Sequence, residues 1–301
     1  MVLAVACLFA ACTKDGVYNP KEKISKIYQS SSTTYSGGGY DNTSTTPKHM
    51  TEAWTWDGKT VASISYYGSD GDLDNTVNFT YDGKRLQRII NSSKEYTEFT
   101  YDGKKIDKFE TYEDGKLAST GTVTYDGKQI VQIDIVEYDS KAAKSPSEIA
   151  YMQTLMQVVM PVYTEKTAQA INTIATKGND TYTIKFEWDG KNISKCNMDM
   201  GDGSVSITYT YDEMNNPYKG FLYILGEDGN TSAWGSKNNV TKEVITYNYD
   251  GETNEYTANY TYEYDGKWPV TKTLSESVSQ NILGTTVTYS YTSVTYFEYA
   301  D

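Results

Sequence analysis

Polar and apolar residues alternate along most of the chain, in short runs that stop at Asp-Gly. The run TVNFTY (76–81) places Val77, Phe79 and Tyr81 on one face, with threonine and asparagine on the other. A period of two is typical of β-strands with one buried face. Asp-Gly between two such runs indicates a β-hairpin, because glycine accepts the positive φ that tight turns require. The pattern predicts strands joined by tight turns.

The alternating runs contain a repeated unit, aromatic-Asp-Gly-Lys-x-Φ-x-x-Φ, where Φ is an apolar residue. Clear copies are WDGKTVASI (56–64), YDGKRLQRI (81–89), YDGKKIDKF (101–109), YDGKQIVQI (125–133) and WDGKNISKC (188–196), and YDGKWPVTK (264–272) is a looser copy. Their spacing suits two strands and two turns per unit. A two-residue turn centred on Asp-Gly would pair Tyr81 with Lys84, whereas a bulged turn would shift the pairing by one residue. The sequence leaves both turns open.

Two segments lie outside this repeat. KEKISKIYQ (21–29) resembles the second half of a unit, so residues 30–47, rich in Ser, Thr and Gly, are expected to form a loop between paired strands. Residues 140–178 contain no unit, and Ser145 there begins a capping box with Pro146 at the first helical position. Apolar residues follow at helical spacing. We expect a helical insert that packs on the sheet, with a recruitment surface as the alternative.

The N terminus, MVLAVACLFAAC, is a short apolar run that ends in Cys12. It suits a signal peptide and is shorter than the roughly 20 residues that span a bilayer. FAAC is similar to a lipobox, so cleavage before Cys12 would leave a lipid-modified cysteine; an ordinary secretory signal is the alternative. The expected organisation is a lipoprotein signal peptide (1–11), a lipidated tether (12–20) and a single repeat-built β domain (21–301) that contains the helical insert at about 140–178.

Charge, aromatic content and cysteine count exclude some binding partners and an intramolecular disulfide. The net charge is -13, with 40 acidic against 27 basic residues, so binding to nucleic acid or to anionic membranes is not expected. Aromatic residues make up 14% of the chain, which is typical of a folded protein rather than a disordered one. Cys7 would leave with the signal peptide and Cys12 would carry lipid, so Cys196 has no partner for an intramolecular disulfide.

The residues needed for common catalytic chemistry are scarce. His49 is the single histidine, which argues against a Ser-His or Cys-His nucleophile and against a zinc site. A pair of carboxylates would suffice for a glycosidase, but most aspartates lie in Asp-Gly turns, where they stabilise the turn. We therefore expect no enzyme, no catalytic residues and no cofactor.

One acidic run is a weak candidate for calcium. Asp70, Asp72 and Asp74 have the spacing of a calcium-binding loop. Asn75 stands where the loop requires glycine, and Tyr81 stands where it requires a bidentate glutamate. A solvated hairpin loop is favoured over a metal site.

Two tryptophans are candidates for ligand binding. Trp234 and Trp268 lie in loop-like settings, where an exposed indole could stack on a sugar ring. The alternative is that each indole covers a strand edge. Both residues are kept as ligand-binding candidates.

The repeat and the N terminus together carry a family resemblance. The residues concerned are CTKD (12–15), the YDGK units, and Tyr211-Asp212 followed by Asn216-Pro217-Tyr218. They resemble a group of Bacteroidota lipoproteins of unknown function with a porin-like fold, and more distantly the tyrosine-aspartate repeats of Rhs-type proteins. The resemblance implies a mainly β fold: a long antiparallel meander, curled or barrel-like, with one helical insert. It brings no catalytic residues.

A porin-like fold need not form a pore. A membrane-spanning barrel has apolar residues facing lipid at alternate positions, whereas here tyrosine alternates with Thr, Asn, Glu or Lys and the mean hydropathy is -0.61. We therefore expect a water-soluble barrel-like sheet, no transmembrane span in the mature chain, and a lipid anchor in the outer membrane. Exposure at the cell surface is favoured over the periplasmic face.

Two functional hypotheses from different classes follow. The first is a non-catalytic binding module at the cell surface, with a glycan or a protein as its ligand. The second is a structural or assembly component of the envelope that contacts partner proteins through the helical insert.

Overall fold

The structure is a computed structural model, and it describes residues 21–37, 41–83, 85–138, 181–199, 203–219, 236–249, 251–282 and 285–300. Within these ranges the regular structure consists of β-strands, and there is no helix. No described residue belongs to a helix long and apolar enough to span a membrane.

Sixteen strands follow one another along the chain. The first eight are β1 (Ile24–Ser36), β2 (Asn42–Asp57), β3 (Thr60–Tyr67), β4 (Leu73–Asp82), β5 (Arg85–Ile90), β6 (Tyr96–Asp102), β7 (Lys105–Glu113) and β8 (Lys116–Asp126). The second eight are β9 (Gln129–Glu137), β10 (Thr181–Asp189), β11 (Asn192–Asp199), β12 (Gly203–Tyr211), β13 (Val240–Tyr249), β14 (Glu252–Asp265), β15 (Trp268–Ile282) and β16 (Thr285–Tyr299).

These strands form a closed antiparallel barrel. Every strand pairs with its neighbours in the chain, and β1 pairs with β16 to close the sheet. At the closing pair, Ile27 lies opposite Phe297 and both side chains are buried. Closure removes the free edges that an open sheet would expose. The alternative of an open, curled meander is therefore wrong.

The expected helical insert is the second correction to the fold class. The described residues form an all-β barrel without a helix. Residues 140–178, where the helical signals lie, fall outside the described residues. The fold class shown is therefore an all-β closed barrel, not a β meander with a helix.

The expected loop at 30–47 is also wrong. Residues up to Ser36 belong to β1, and β2 begins at Asn42, so most of this segment is paired strand. Serine and threonine are compatible with strands when their hydroxyl groups face water or one another, as Thr34 and Thr43 do across β1 and β2, with 3.1 Å between their Oγ1 atoms.

The repeat unit folds as a two-residue turn followed by a bulge. In the β6–β7 hairpin, Asp102 pairs with Lys105, so Gly103 and Lys104 are the central residues and Gly103 has φ +61°. Tyr101 then pairs with Ile106, while Thr100 pairs with Lys108. This register leaves Asp107 as the extra residue of a β-bulge.

The bulge explains the spacing of the two apolar positions. Residues three apart on a regular strand point to opposite faces. The extra residue returns both to the same face, so Ile106 is only 3% exposed and Phe109 only 2%. The β4–β5 hairpin has the same register, in which Tyr81 pairs with Leu86 and not with Lys84. Neither turn considered from the sequence gives this pairing.

The barrel has an apolar interior over most of its wall and a polar exterior. Val77 and Phe79 on β4 and Ile133 on β9 are buried and face inward. Asn78, which lies between the first two on β4, is exposed. On β15 and β16 the outward positions carry hydroxyl groups, including Ser279 and Thr288, whose side-chain oxygens lie 2.8 Å apart.

Candidate functional site

The aromatic residues of the repeat form a ring at one end of the barrel, here called the turn end because the Gly-Lys turns lie there. Most of these residues donate a hydrogen bond to the main-chain carbonyl of the first Φ residue in a neighbouring hairpin, whereas Tyr264 donates to the Asp212 carboxylate. The pairs are Trp56 with Ile24 (2.7 Å), Tyr81 with Val61 (2.9 Å), Tyr101 with Leu86 (2.8 Å), Trp188 with Ile130 (2.7 Å), Tyr211 with Ile193 (2.6 Å) and Tyr299 with Pro269 (2.7 Å). The repeat residues therefore have a structural role.

A segment between β12 and β13 crosses the turn end and closes it. This plug consists of residues 212–219 and 236–239. Its main chain bonds to two turns, through Asn215 N to Lys267 O (3.0 Å) and Lys237 N to Lys191 O (3.1 Å). Tyr218 reaches across the interior to the Trp54 and Phe297 rings, with centroid distances of 6.3 and 6.1 Å.

Polar side chains hold the plug together. Asn216 and Ser236 are buried, and Asn216 Nδ2 donates to the Ser236 carbonyl at 3.0 Å. Asn239 N donates to Asp212 Oδ1 at 3.1 Å, and the Tyr264 hydroxyl donates to the other oxygen of the same carboxylate. These bonds satisfy the plug's polar groups within the protein, so the plug is a built closure of the barrel.

The interior above the plug has two unlike walls. Strands β3 to β12 present mainly apolar side chains, including Ile64, Phe99 and Phe186. On the opposite side, the inward-facing residues of β1 and β13 to β16 are mixed, because buried apolar side chains such as Ile245, Leu274 and Phe297 lie among polar ones. The polar and tyrosine residues of this side are here called the polar wall: Gln29, Ser31, Thr33, Tyr35, Glu243, Tyr260, Lys272, Glu276, Tyr291 and Ser293.

The polar wall begins where the repeat is broken. In eight register-equivalent positions the second Φ residue faces inward, and six of the side chains are apolar: Ile27, Ile64, Ile89, Phe109, Ile133 and Cys196. The two remaining positions carry Glu243 on β13 and Lys272 on β15. A chain that needed only a core would have kept an apolar residue at both.

Glu243, Tyr260 and Lys272 form a linked group inside the barrel. The Tyr260 hydroxyl donates to Glu243 Oε2 at 3.0 Å, and Lys272 Nζ lies 4.2 Å from the centroid of the Tyr260 ring. Burial raises the pKa of Glu243, and the Lys272 charge and the tyrosine hydrogen bond oppose that rise. Burial lowers the pKa of Lys272, and Glu243 opposes that change. The two opposite charges stabilise each other through space.

Two further glutamates face the interior with raised pKa values. Burial, and secondarily the Glu243 charge, raises the pKa of Glu276 to about 7. Burial raises the pKa of Glu52 to about 7, although Trp54 Nε1 donates to its Oε2 at 2.7 Å. Glu276 Oε2 is buried and receives no hydrogen bond. The interior can therefore hold and exchange protons near neutral pH.

At the end of the barrel opposite the plug, one described inward-facing side chain is exposed. Tyr35 belongs to the polar wall, yet it is 49% exposed. Its ring makes an edge contact with Tyr289 on β16 at a centroid distance of 5.1 Å. The polar wall thus runs from the buried charges near the plug to aromatic rings in contact with solvent.

The binding candidates predicted from the sequence lie apart from this wall. Trp268 is the first residue of β15 at the turn end, where it is half-buried and makes an edge contact with Tyr299. It is therefore in a strand rather than in a loop. Trp234 and Cys12 lie outside the described residues. Binding through either tryptophan, and lipidation of Cys12, stay predictions.

Of the three calcium candidates, Asp70 and Asp72 lie in the β3–β4 turn, and Asp74 is the second residue of β4. Asp72 N donates to Asp70 Oδ1 at 3.1 Å, which is a hydrogen bond within the loop itself. Among the described residues no group of three or more His, Cys, Asp or Glu side chains has an arrangement that could hold a metal ion. His49 is partly buried, and its Nδ1 lies 3.0 Å from the Pro47 carbonyl.

Sequence reasoning missed Glu243, Lys272 and Glu276. The signal for Lys272 was present, because YDGKWPVTK ends in lysine where the other copies end in Ile, Phe or Cys. Glu243 follows Val240 at the same spacing, but the plug separates it from its tyrosine and hides the unit. Glu276 lies beyond the repeat, so no pattern marks it.

The fold is similar to that of solved porin-like proteins. One is a porin-like protein from Bacteroides uniformis, with a TM-score of 0.50, 12% sequence identity, and coverage of 92% of this chain and 98% of that one. Another is from Bacteroides vulgatus, with a TM-score of 0.45, 11% identity, and coverage of 93% and 99%. No protein-family model and no curated protein sequence matches the chain.

The first of these similarities confirms the porin-like fold that the resemblance implied. At 12% identity it concerns the fold alone. Membership of a lipoprotein family and a relation to Rhs-type repeats stay predictions.

Proposed function

We propose that this chain is a non-catalytic binding module of the bacterial envelope, tethered to the outer membrane by lipid at Cys12. Its ligand enters the barrel from the end opposite the plug and rests against the polar wall. Display at the cell surface is part of the proposal. The porin-like similarity and the signal at the N terminus support the envelope setting.

The observation that carries the proposal is the contrast between the two interior walls. An apolar interior would suffice for stability, because burial of apolar area drives folding. Charged groups inside a barrel cost free energy of desolvation, and buried ion pairs often add little net stability. Glu243 and Lys272 at two anchor positions are therefore better explained by a ligand than by packing. Tyrosine and serine along the rest of the wall offer ring faces and hydroxyl groups to a polar ligand.

The test is to obstruct the interior without changing the fold. Ser31 faces inward opposite Ser293, whereas its neighbour Ser32 faces outward opposite Thr292. Ser31→Trp places an indole inside the barrel, and Ser32→Trp places the same group outside. Both proteins are applied to arrays of glycans and short peptides beside the wild type, and their thermal unfolding is measured.

We expect the wild type and Ser32→Trp to retain the same array ligands and Ser31→Trp to lose them, because the indole occupies the ligand's space. Equal retention by all three proteins would place binding elsewhere on the molecule. No retention by the wild type would count against a binding module of either ligand class.

A further inference from the structure

Glu276 is the group on the polar wall whose bonding within the protein is incomplete. It is only 9% exposed, faces inward opposite Tyr291, and its Oε2 atom is buried without a hydrogen-bond donor. Buried polar atoms in folded proteins are nearly always bonded, so an orphan acceptor calls for an explanation. A donor that arrives from the interior of the barrel would complete it.

The residues around Glu276 do not supply that donor. On β14, Asn259 lies opposite Ser275. The next residue along each strand therefore brings Ala258 beside Glu276, and the methyl group of Ala258 cannot donate a hydrogen bond. Ala258 pairs in turn with Glu243 on β13, so two carboxylates flank one alanine. Lys272 lies over the Tyr260 ring, and its charge acts on Glu243.

The charge balance of this group favours a cation over a neutral donor. Two carboxylates face one ammonium group, and Glu243 makes the ionised form of Glu276 still less favourable. A hydroxyl donor would satisfy the orphan oxygen but would bring no charge to stabilise the ionised form of Glu276. A protonated amine would do both, and its hydrogen bond to a carboxylate is the stronger, charge-assisted kind.

The chemistry of the surroundings favours an organic ammonium group over a metal ion. Tyr260 and Tyr291 present aromatic rings beside the carboxylates, and ring faces attract ammonium groups. Divalent cations prefer six or more oxygen ligands. Among the described residues no cluster of three or more potential ligands offers such a set.

We propose that the polar wall binds a ligand that carries a protonated amine, with the nitrogen donating to Glu276 Oε2 and the body of the ligand against the neighbouring tyrosines. This inference rests on the proposed function and specifies the ligand class. The amine stands between Glu276 and Glu243, where its charge would stabilise the ionised forms of both carboxyl groups.

The proposal implies a definite pH dependence. The pKa of Glu276 is about 7 without ligand, and the amine binds the ionised form. Affinity therefore rises as the pH increases through 7. The other titratable groups that face this position are Glu243, Tyr260, Lys272, Tyr289 and Tyr291. Burial raises the pKa of Glu243 as well, which gives the same direction, and burial also raises the pKa values of Tyr260 and Tyr289, which moves them further from this range.

The experiment compares matched probes by calorimetric titration of the full chain. Cadaverine and glucosamine provide the amine, and 1,5-pentanediol and glucose are their neutral counterparts. Glu276→Gln removes the charge while keeping the size of the side chain. Glu263→Gln, on the exposed outer face of β14, is the control for loss of one negative charge.

We expect at least one amine to bind and its neutral counterpart not to bind. Glu276→Gln should weaken binding by at least about tenfold, the scale of one charge-assisted hydrogen bond, and Glu263→Gln should leave it unchanged. For cadaverine, whose amines stay protonated in this range, wild-type affinity should rise between pH 6 and pH 8, and that of Glu276→Gln should change less.

The possible failures are distinguishable. Equal binding of an amine and its neutral counterpart, insensitive to Glu276→Gln but lost in Ser31→Trp, would overturn the amine proposal and support binding inside the barrel. Equal weakening of amine binding by Glu276→Gln and Glu263→Gln would show that only the net charge of the protein matters. That result would also overturn the amine proposal. If no amine binds while an array ligand does, the amine proposal fails and the proposed function stands. If nothing binds, both fail.

Discussion

The repeat positions that precede Asp-Gly carry tyrosine or tryptophan, and the hydrogen bonds at the turn end explain why. Phenylalanine would fill the same space but has no donor for the carbonyl beside the bulge. Burial, and then the neighbouring Tyr125, raises the pKa of Tyr101 to about 12, so its hydroxyl keeps the proton that it donates. The residue choice thus follows from the bulge.

Tyr101→Phe tests this role at the residue scale. The change leaves the Leu86 carbonyl, now bonded at 2.8 Å, without its donor. We expect a loss of about 1–2 kcal/mol in the free energy of unfolding, measured with urea. The control is Tyr96→Phe on the outer face, where the tyrosine hydroxyl can bond to water instead of to a protein group. A comparable loss of stability there would contradict the assignment.

At the scale of elements, the hairpins are nearly interchangeable except in what their second anchor position carries. On β5, β7 and β9 that position is Ile89, Phe109 or Ile133, all buried. On β13 and β15 it is Glu243 and Lys272 in the same register. A hairpin tolerates the charged pair because the neighbouring β14 supplies the Tyr260 hydroxyl and ring.

The free energy of unfolding should separate a structural pair from a functional one. Lys272→Ile leaves Glu243 buried without a cation, at a cost of about 3 kcal/mol. Glu243→Leu combined with Lys272→Ile restores two apolar anchors, and we expect the double variant to be as stable as the wild type or more so by ~1–3 kcal/mol. Urea unfolding measures both. A double variant as unstable as the sum of its single changes would show that the pair stabilises the fold.

At the scale of the whole molecule, one long-range pairing turns a series of hairpins into a barrel. Neighbouring strands are joined locally, but β1 and β16 are close only because the sheet curls until its edges meet. The plug then covers one end, with Tyr218 reaching Trp54 on β2 and Phe297 on β16. The result is a closed barrel whose described residues include a segment that crosses one end.

The proposed tether can be tested on the whole protein in a bacterial host. Cys12→Ala removes the residue that would be lipidated, so we expect loss of radiolabelled palmitate and a shift from the membrane to the soluble fraction. Cys7→Ala, within the proposed signal peptide, should leave both unchanged. A wild-type chain that is processed but carries no label would support an ordinary secretory signal instead.

Much of the fold was predictable because it is encoded locally. The Asp-Gly turns and the alternation of Val77, Phe79 and Tyr81 follow from neighbouring residues. The register was not predictable, because two apolar residues three apart would point to opposite faces of a regular strand. Only a bulge, which the sequence does not reveal, places both on the inner face. The site was missed for a related reason: an acidic or basic residue at one anchor position looks like a degenerate repeat.

The sequence by itself determined most of the strands and the turns, because each depends on residues close in the chain. Only the tertiary structure decided that the sheet closes, that the plug covers one end, and that Glu243, Lys272 and Glu276 face one interior. The physical reason is distance: these groups lie on strands whose separation in space is set by the pairing and curvature of the whole sheet.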